Sequence, residues 1–330
     1  MQSYDDRAAR LEPQTLAFLQ ALDAAGAPPL FALDPAVARL ALVQLQHQVH
    51  VAVPPAVILA RTLDGGPAGG VKMRIVRPLG SGSEMPGGRL LPGIMYFHGG
   101  GWMLGDAETH DRLLRELVNA TQAAIVFVDY DRAPEARFPV ALEQAYFATT
   151  WVGEHGATIG VDTSRLAVAG DSTGGTLATT VAMLAGQRSG PRIAFQLLFY
   201  PAADALMNTA TYSQFGDGRY WLGQQHMQWY WDCYTDSEHR HDPAASPLHA
   251  SLEQLRGLPP ALVITAENDV LRAEGEAYVH RLIEAGVVVT ATRYLGTIHD
   301  FVLLNALAGT PAARAAINQA SAALRNAFAR

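Results

Sequence analysis

The chain has 330 residues, of which 49% are hydrophobic and 17% charged, so one large core is possible and wholesale disorder is excluded. The formal net charge is −7 with no dense run of Lys or Arg, which argues against nucleic acid or an anionic membrane surface as a partner. A lone cysteine, Cys233, rules out a disulfide framework within the chain, and no apolar run approaches the roughly 18 residues that a transmembrane helix needs.

The polar start, residues 1–10, does not read as a signal peptide, so a cytoplasmic location is expected. Residues 1 to about 60 read as helical, with Leu11, Leu16, Phe18, Leu19 and Leu22 forming a stripe and Pro28-Pro29 and Pro54-Pro55 as punctuation. The glycine-rich stretch 65–70 reads as a flexible surface turn. A strand follows at 71–77, a Gly/Ser loop at 80–88 and an apolar strand at 90–97. Residues 112–121 have helical spacing, 123–129 form a buried strand, and 139–155 are helical again. A short strand at 166–169 leads into a helix of small residues at 175–187. Strands at 194–199, 261–265 and 287–294 complete the set, with a helix at 271–285 between the last two. Apolar strands separated by helices imply a single α/β domain over 1–330, its parallel sheet covered on both faces. In such sheets ligands sit beyond the carboxyl ends of the strands, so chemistry is sought in the loops that follow them.

Four of those loops carry chemistry-bearing residues. Gly170-Asp171-Ser172-Thr173-Gly174-Gly175 joins a strand to a helix, the context of a G-x-S-x-G nucleophile elbow. Side chains at Gly170 or Gly174 would strike the turn, and the helix start points its positive end at the site. His98-Gly99-Gly100-Gly101-Trp102 ends the strand at 90–97 and offers bare backbone N–H groups. Such donors stabilise the oxyanion of a tetrahedral intermediate; losing one costs about 3–4 kcal/mol of barrier. Gly100 and Gly101, joined by the N–H of Thr173, are therefore candidate oxyanion-hole donors, with Gly99 and His98 shaping the loop. A phosphate cradle is the competing reading, without a G-x-G-x-x-G or P-loop pattern to support it. Asp269 follows the strand at 261–265 and could equally cap the next helix; Glu267 is a rival carboxylate. His299 follows the last strand. His239 and His241 have the H-x-H form but no third ligand nearby, so no metal is expected. Ser172, Asp269 and His299 run in the chain order Ser…Asp…His of α/β-hydrolases.

With these motifs in place, residues 70–305 resemble the bacterial hormone-sensitive-lipase-like esterases. The resemblance extends to Tyr130-Asp131-Arg132-Ala133-Pro134-Glu135, Ser246-Pro247-Leu248, Leu258-Pro259-Pro260-Ala261 and the run 269–275. It implies an α/β-hydrolase fold with an eight-stranded, mostly parallel sheet flanked by helices and a helical cap. It also implies hydrolysis of short to medium acyl esters with no cofactor, in a chain that is often a homodimer. Two departures stand out: Thr173 replaces the family's usual Ala, and Asp131-Arg132 replaces Arg-Leu. The cap is expected from about 1–50 and about 202–240. Most aromatics of the second segment should pack the cap onto the core, while Trp221 and Trp229, with Trp102 and Tyr200, are candidates for the substrate pocket. The same triad serves amidases, lactonases and acyltransferases, and a non-catalytic binding protein is a further alternative.

Overall fold

The computed structural model describes residues 6–81 and 90–329. Residues 1–5 of the polar start and 82–88 of the expected Gly/Ser loop lie outside the described residues. Two helices open the chain, α1 (Pro13–Ala25) and α2 (Pro35–His47). Both begin with proline behind an acidic N-cap: Glu12 accepts the Thr15 N–H and Asp34 the Ala36 N–H. Proline fits there because its missing N–H would have had no helical partner.

The helical expectation fails beyond His47, where α2 ends. Ala56–Gly66 is strand β1, which turns at 66–69 into an antiparallel hairpin with β2 (Gly69–Pro78). The glycine stretch is therefore a hairpin turn. The misreading has a physical cause: β1 is an edge strand, mostly exposed, and it lacks the apolar alternation that marks a half-buried one.

From β3 (Leu91–Phe97) onward, helices and strands alternate: α3 (Asp111–Thr121), β4 (Ala124–Asp129), α4 (Val140–His155), β5 (Val161–Asp171), α5 (Thr173–Gln187) and β6 (Phe195–Phe199). An excursion then carries α6 (Ala210–Phe215), α7 (Gln224–Tyr234) and the short α8 (Leu252–Leu255). The chain returns through β7 (Ala261–Asn268), α9 (Arg272–Glu284), β8 (Val289–Ile298) and α10 (Pro311–Phe328). Strand β5 is longer than expected. Its polar residues 162–165 hide it in the sequence, but Val161 and Asp162 pair with Leu91 and Pro92 before the register jumps to Gly93 opposite Leu166.

The eight strands form one sheet in the order β1-β2-β4-β3-β5-β6-β7-β8. The pairs β1/β2 and β2/β4 are antiparallel; the rest are parallel. The eight-stranded, mostly parallel sheet of the α/β-hydrolase fold is thus present. Strand β6 is buried throughout and β4 in all but its last residue, as a sheet with both faces covered requires. Register is what places the site. Phe97 lies opposite Gly170, Asp171 opposite Phe199, and Asn268 opposite Ile298. The residues that follow each pair therefore leave the same edge of the sheet side by side.

Candidate active site

At the end of β5, Ser172 sits at φ 53°, ψ −123°, a conformation that costs a non-glycine residue roughly 1–3 kcal/mol. The surroundings hold it there. The Ser172 N–H donates to Phe199 O (2.9 Å), and Ser172 O accepts from Gly175 and Ala202. A Cβ on Gly174 would collide with the carbonyl oxygen of Phe97, so only glycine lets α5 start this close to β3. The elbow expected from Gly170–Gly175 is the turn that forms.

Asp269 and His299 follow the paired residues Asn268 and Ile298. His299 Nε2 lies 2.9 Å from Ser172 Oγ, and its Nδ1 lies 2.8 Å from an Asp269 carboxylate oxygen. Ionised, that carboxylate can only accept, so Nδ1 carries the proton of the neutral ring and Nε2 is free to accept from the serine hydroxyl. The other Asp269 oxygen accepts the Leu271 N–H (2.9 Å) at the start of α9. One side chain thus braces the turn that leads into α9 and meets the histidine. Glu267, the rival carboxylate, accepts the Gly296 N–H instead.

The glycine loop faces the elbow. Among the described residues, the backbone N–H groups of Gly100, Gly101 and Thr173 have no internal acceptor, whereas those of Gly99 and Trp102 do. Gly101 has φ +66°, and a Cβ there would enter the ring of Tyr230, which lies over it. His98 turns away from the cavity. Its Nδ1 donates to Gly99 O (2.9 Å), its ring stacks on Tyr130 at 4.1 Å, and burial beside His110 pushes its pKa down to about 3. It is therefore neutral and shapes the loop. Arg132 donates to Gly105 O and the Ala133 N–H to Trp102 O, so the departure at 131–132 still packs on this loop.

Sequence reasoning missed two carboxylates here. Asp171 is fully buried; it accepts from Tyr96 Oη (2.8 Å) and Gly99 N (3.2 Å), and pairs with His110 Nε2 at 3.2 Å. Burial opposes both charges, yet mutual attraction lowers the pKa of Asp171 and raises that of His110. Its place inside Gly-Asp-Ser was the available signal. Asp300 has one oxygen 3.5 Å from His299 Nε2, and the other accepts from Trp221 Nε1 (2.9 Å). Burial raises its pKa, and the facing histidine only partly offsets this. Burial also works against a charged His299, but Asp269 and Asp300 outweigh it and push its pKa up to about 9.

A cavity of about 1110 Å³ opens above Ser172 and His299. Phe18, Leu22 and Leu45 line it from the N-terminal helices, and Trp221 and Tyr230 from the 202–240 excursion. The other pocket candidates lie off its wall. Trp102 is buried and stacks on Tyr234 at 4.0 Å; Trp229 packs beside Tyr230; Tyr200 lies behind His299 with ring centroids 4.7 Å apart. Alternation of facing along α7 explains the exchange, since Tyr230 turns inward and its neighbour Trp229 does not. His239 packs on Phe138 and His241 on His249. Among the described residues no group of three or more His, Cys, Asp or Glu is placed to hold a metal ion. None of the described helices is long and apolar enough to cross a membrane.

Known proteins resemble this chain in sequence and in fold. A family profile described as alpha/beta hydrolase fold matches residues 94–303. The chain is 38% identical to esterase LipI of Mycobacterium tuberculosis (strain ATCC 25618 / H37Rv) over 261 residues, 79% of either chain. It is 37% identical to an ethyl acetate hydrolase of Pseudomonas putida, over 71% of this chain and 72% of that one. Among solved structures, a thermostable esterase from Pseudomonas putida ECU1011 superposes with a TM-score of 0.93 at 47% identity, over 99% of both chains. The chain belongs to the hormone-sensitive-lipase-like esterase family of the α/β-hydrolase superfamily.

Proposed function

We propose that this carboxylic ester hydrolase works through Ser172 as nucleophile, His299 as general base and Asp269 as the group that orients the imidazole. The observation that carries the reading is the unbroken chain of contacts from Ser172 Oγ through His299 to Asp269, at 2.9 and 2.8 Å. Ser172 Oγ attacks the ester carbonyl and gives its proton to His299 Nε2. The carbonyl oxygen, now anionic, rests on the N–H groups of Gly100, Gly101 and Thr173, which have no internal acceptor. Collapse expels the alcohol with the proton from His299, leaving an acyl-enzyme. Water then attacks, giving its proton to His299, and the acid is released as Ser172 recovers its hydrogen.

The cap in this reading comprises about 1–50 and about 202–240. Arg7 donates to Arg219 O and pairs with Asp23 (2.6 Å), and Arg219 pairs with Asp6 (2.6 Å), which ties the two segments together. The apolar wall they give the cavity suits short to medium acyl chains. Leu295 on β8, the last strand of the sheet, is exposed, which favours a homodimer that covers it.

One panel tests catalysis and cap together: nitrophenyl esters from acetate to laurate, turned over by wild type, S172A and L22W. S172A should lose roughly 10⁴-fold or more in kcat while melting as wild type does. L22W, which fills the apolar wall, should lose laurate before acetate. Ester turnover by S172A at the wild-type rate removes the assignment of Ser172; an unaltered chain-length profile in L22W removes that of the cap.

A further inference from the structure

The two glycines proposed to hold the oxyanion are tethered on both sides. Before them, the Gly99 N–H donates to Asp171 (3.2 Å); after them, the Trp102 N–H donates to Thr173 Oγ1 (3.2 Å). Asp171 and Thr173 are the residues immediately before and after Ser172. The loop that ends β3 is thus clamped to the elbow that ends β5, with Gly100 and Gly101 between the two ties. Thr173 is fully buried, as is Trp102, whose indole is held flat against Tyr234 at 4.0 Å and 2°.

We propose that the Thr173 hydroxyl is a positioning residue for ester hydrolysis, holding the Gly100–Gly101 donors at a fixed distance from Thr173's own N–H. The proposal rests on the reading of Ser172 and the oxyanion hole given above. Two observations make the hydroxyl more than filler. The oxyanion site is divided between two loops, so its geometry depends on what joins them. The Trp102 N–H is buried, and without Thr173 Oγ1 it would have no acceptor among the described residues. A buried N–H left unpaired drives the backbone to turn until it finds one, and here that rotation would begin one residue from Gly101. A displacement of about 1 Å in such a site can cost on the order of a hundredfold in rate. Where the resemblance has an alanine at this position, this chain adds an acceptor in the same turn.

The test compares T173V, T173A and T173S with wild type and S172A. Valine keeps the volume and removes the acceptor; serine restores it. T173V should lower kcat for nitrophenyl butyrate roughly 10- to 100-fold with KM within about twofold. T173S should stay within about threefold of wild type. The rate of inactivation by a nitrophenyl phosphonate should fall in T173V in parallel with kcat, because phosphorus attack builds the same anionic oxygen. End-point titration with that phosphonate counts folded sites, and T173A replaces T173V if valine prevents folding. Wild-type kcat in the acceptor-free variant overturns the proposal. So does a loss in T173S equal to that in T173V, because restoring the acceptor would then restore no activity, or a change in KM alone. Wild-type turnover in S172A would instead remove the nucleophile assignment, whatever the threonine variants do.

Discussion

At the scale of single residues, the site is set by carboxylates around one imidazole. Asp269 holds Nδ1, and Asp300 stands 3.5 Å from Nε2, on the serine side. Together they outweigh burial and raise the His299 pKa to about 9. Only the neutral ring can take the serine proton, and a raised pKa keeps the ring protonated to higher pH. The rate constant kcat/KM should therefore climb with pH through an inflection above the 6.5 of an unperturbed imidazole, and fall as pH drops below it. D300N removes one of the two charges and should move that inflection to lower pH. A kcat/KM profile measured from pH 5 to 10 checks both, and an inflection unmoved by D300N would exclude Asp300 as a source of the shift. Of these residues the sequence revealed those that fall in motifs with a known chain order. Asp300 belongs to none, and only folding brings Trp221 to it from 79 positions away.

Among elements, the decisive contact is between the tips of β3 and β5. The buried Asp171 carboxylate satisfies the hydroxyl of Tyr96 on β3, the Gly99 N–H and the His110 ring that precedes α3. D171A would leave the Tyr96 hydroxyl, the Gly99 N–H and the His110 Nε2 without that partner. Breaking a buried ion pair from one side costs about 3–5 kcal/mol, so denaturant unfolding of D171A should show a loss of that size. Stability within about 1 kcal/mol of wild type would mean that the pair contributes little beyond its own desolvation. The strands that carry the site were legible because burial on both faces makes them apolar throughout, as in Ala124–Asp129. Strand β1 was not, because its partner lies across a hairpin and most of its residues face water. The pocket wall was half legible: aromatic composition marked the 202–240 excursion, but which ring turns inward depends on how α7 sits over Gly101.

For the molecule as a whole, the N-terminal helices and the excursion after β6 close over one end of the sheet. Arg39 on α2 reaches across to Met103 O and Ala133 O and pairs with Glu135, whose pKa that contact lowers to about 2. Helix α2 is thereby fastened to the loop that carries Gly100 and Gly101, the proposed oxyanion donors. The opposite flank is covered only in part, where the Glu12 N–H donates to Gly296 O of β8. Leu295 is 68% exposed on β8, the last strand of the sheet, and an apolar side chain left open there invites a second copy. Sedimentation velocity should find about twice the chain mass of 35.4 kDa for wild type and the single-chain mass for L295E. A single-chain mass for wild type would remove the dimer.

The pairing of Asn268 with Ile298 has a consequence for how this chain can change in length. Asp269 and His299 meet only because each comes one step after that pair. A one-residue deletion inside β7 or β8 would flip the downstream side chain to the opposite side of the sheet. The turn between α9 and β8, at the opposite rim, faces no such constraint. Lineages related to this protein should thus have changed length in the turn between α9 and β8 far more often than inside either strand.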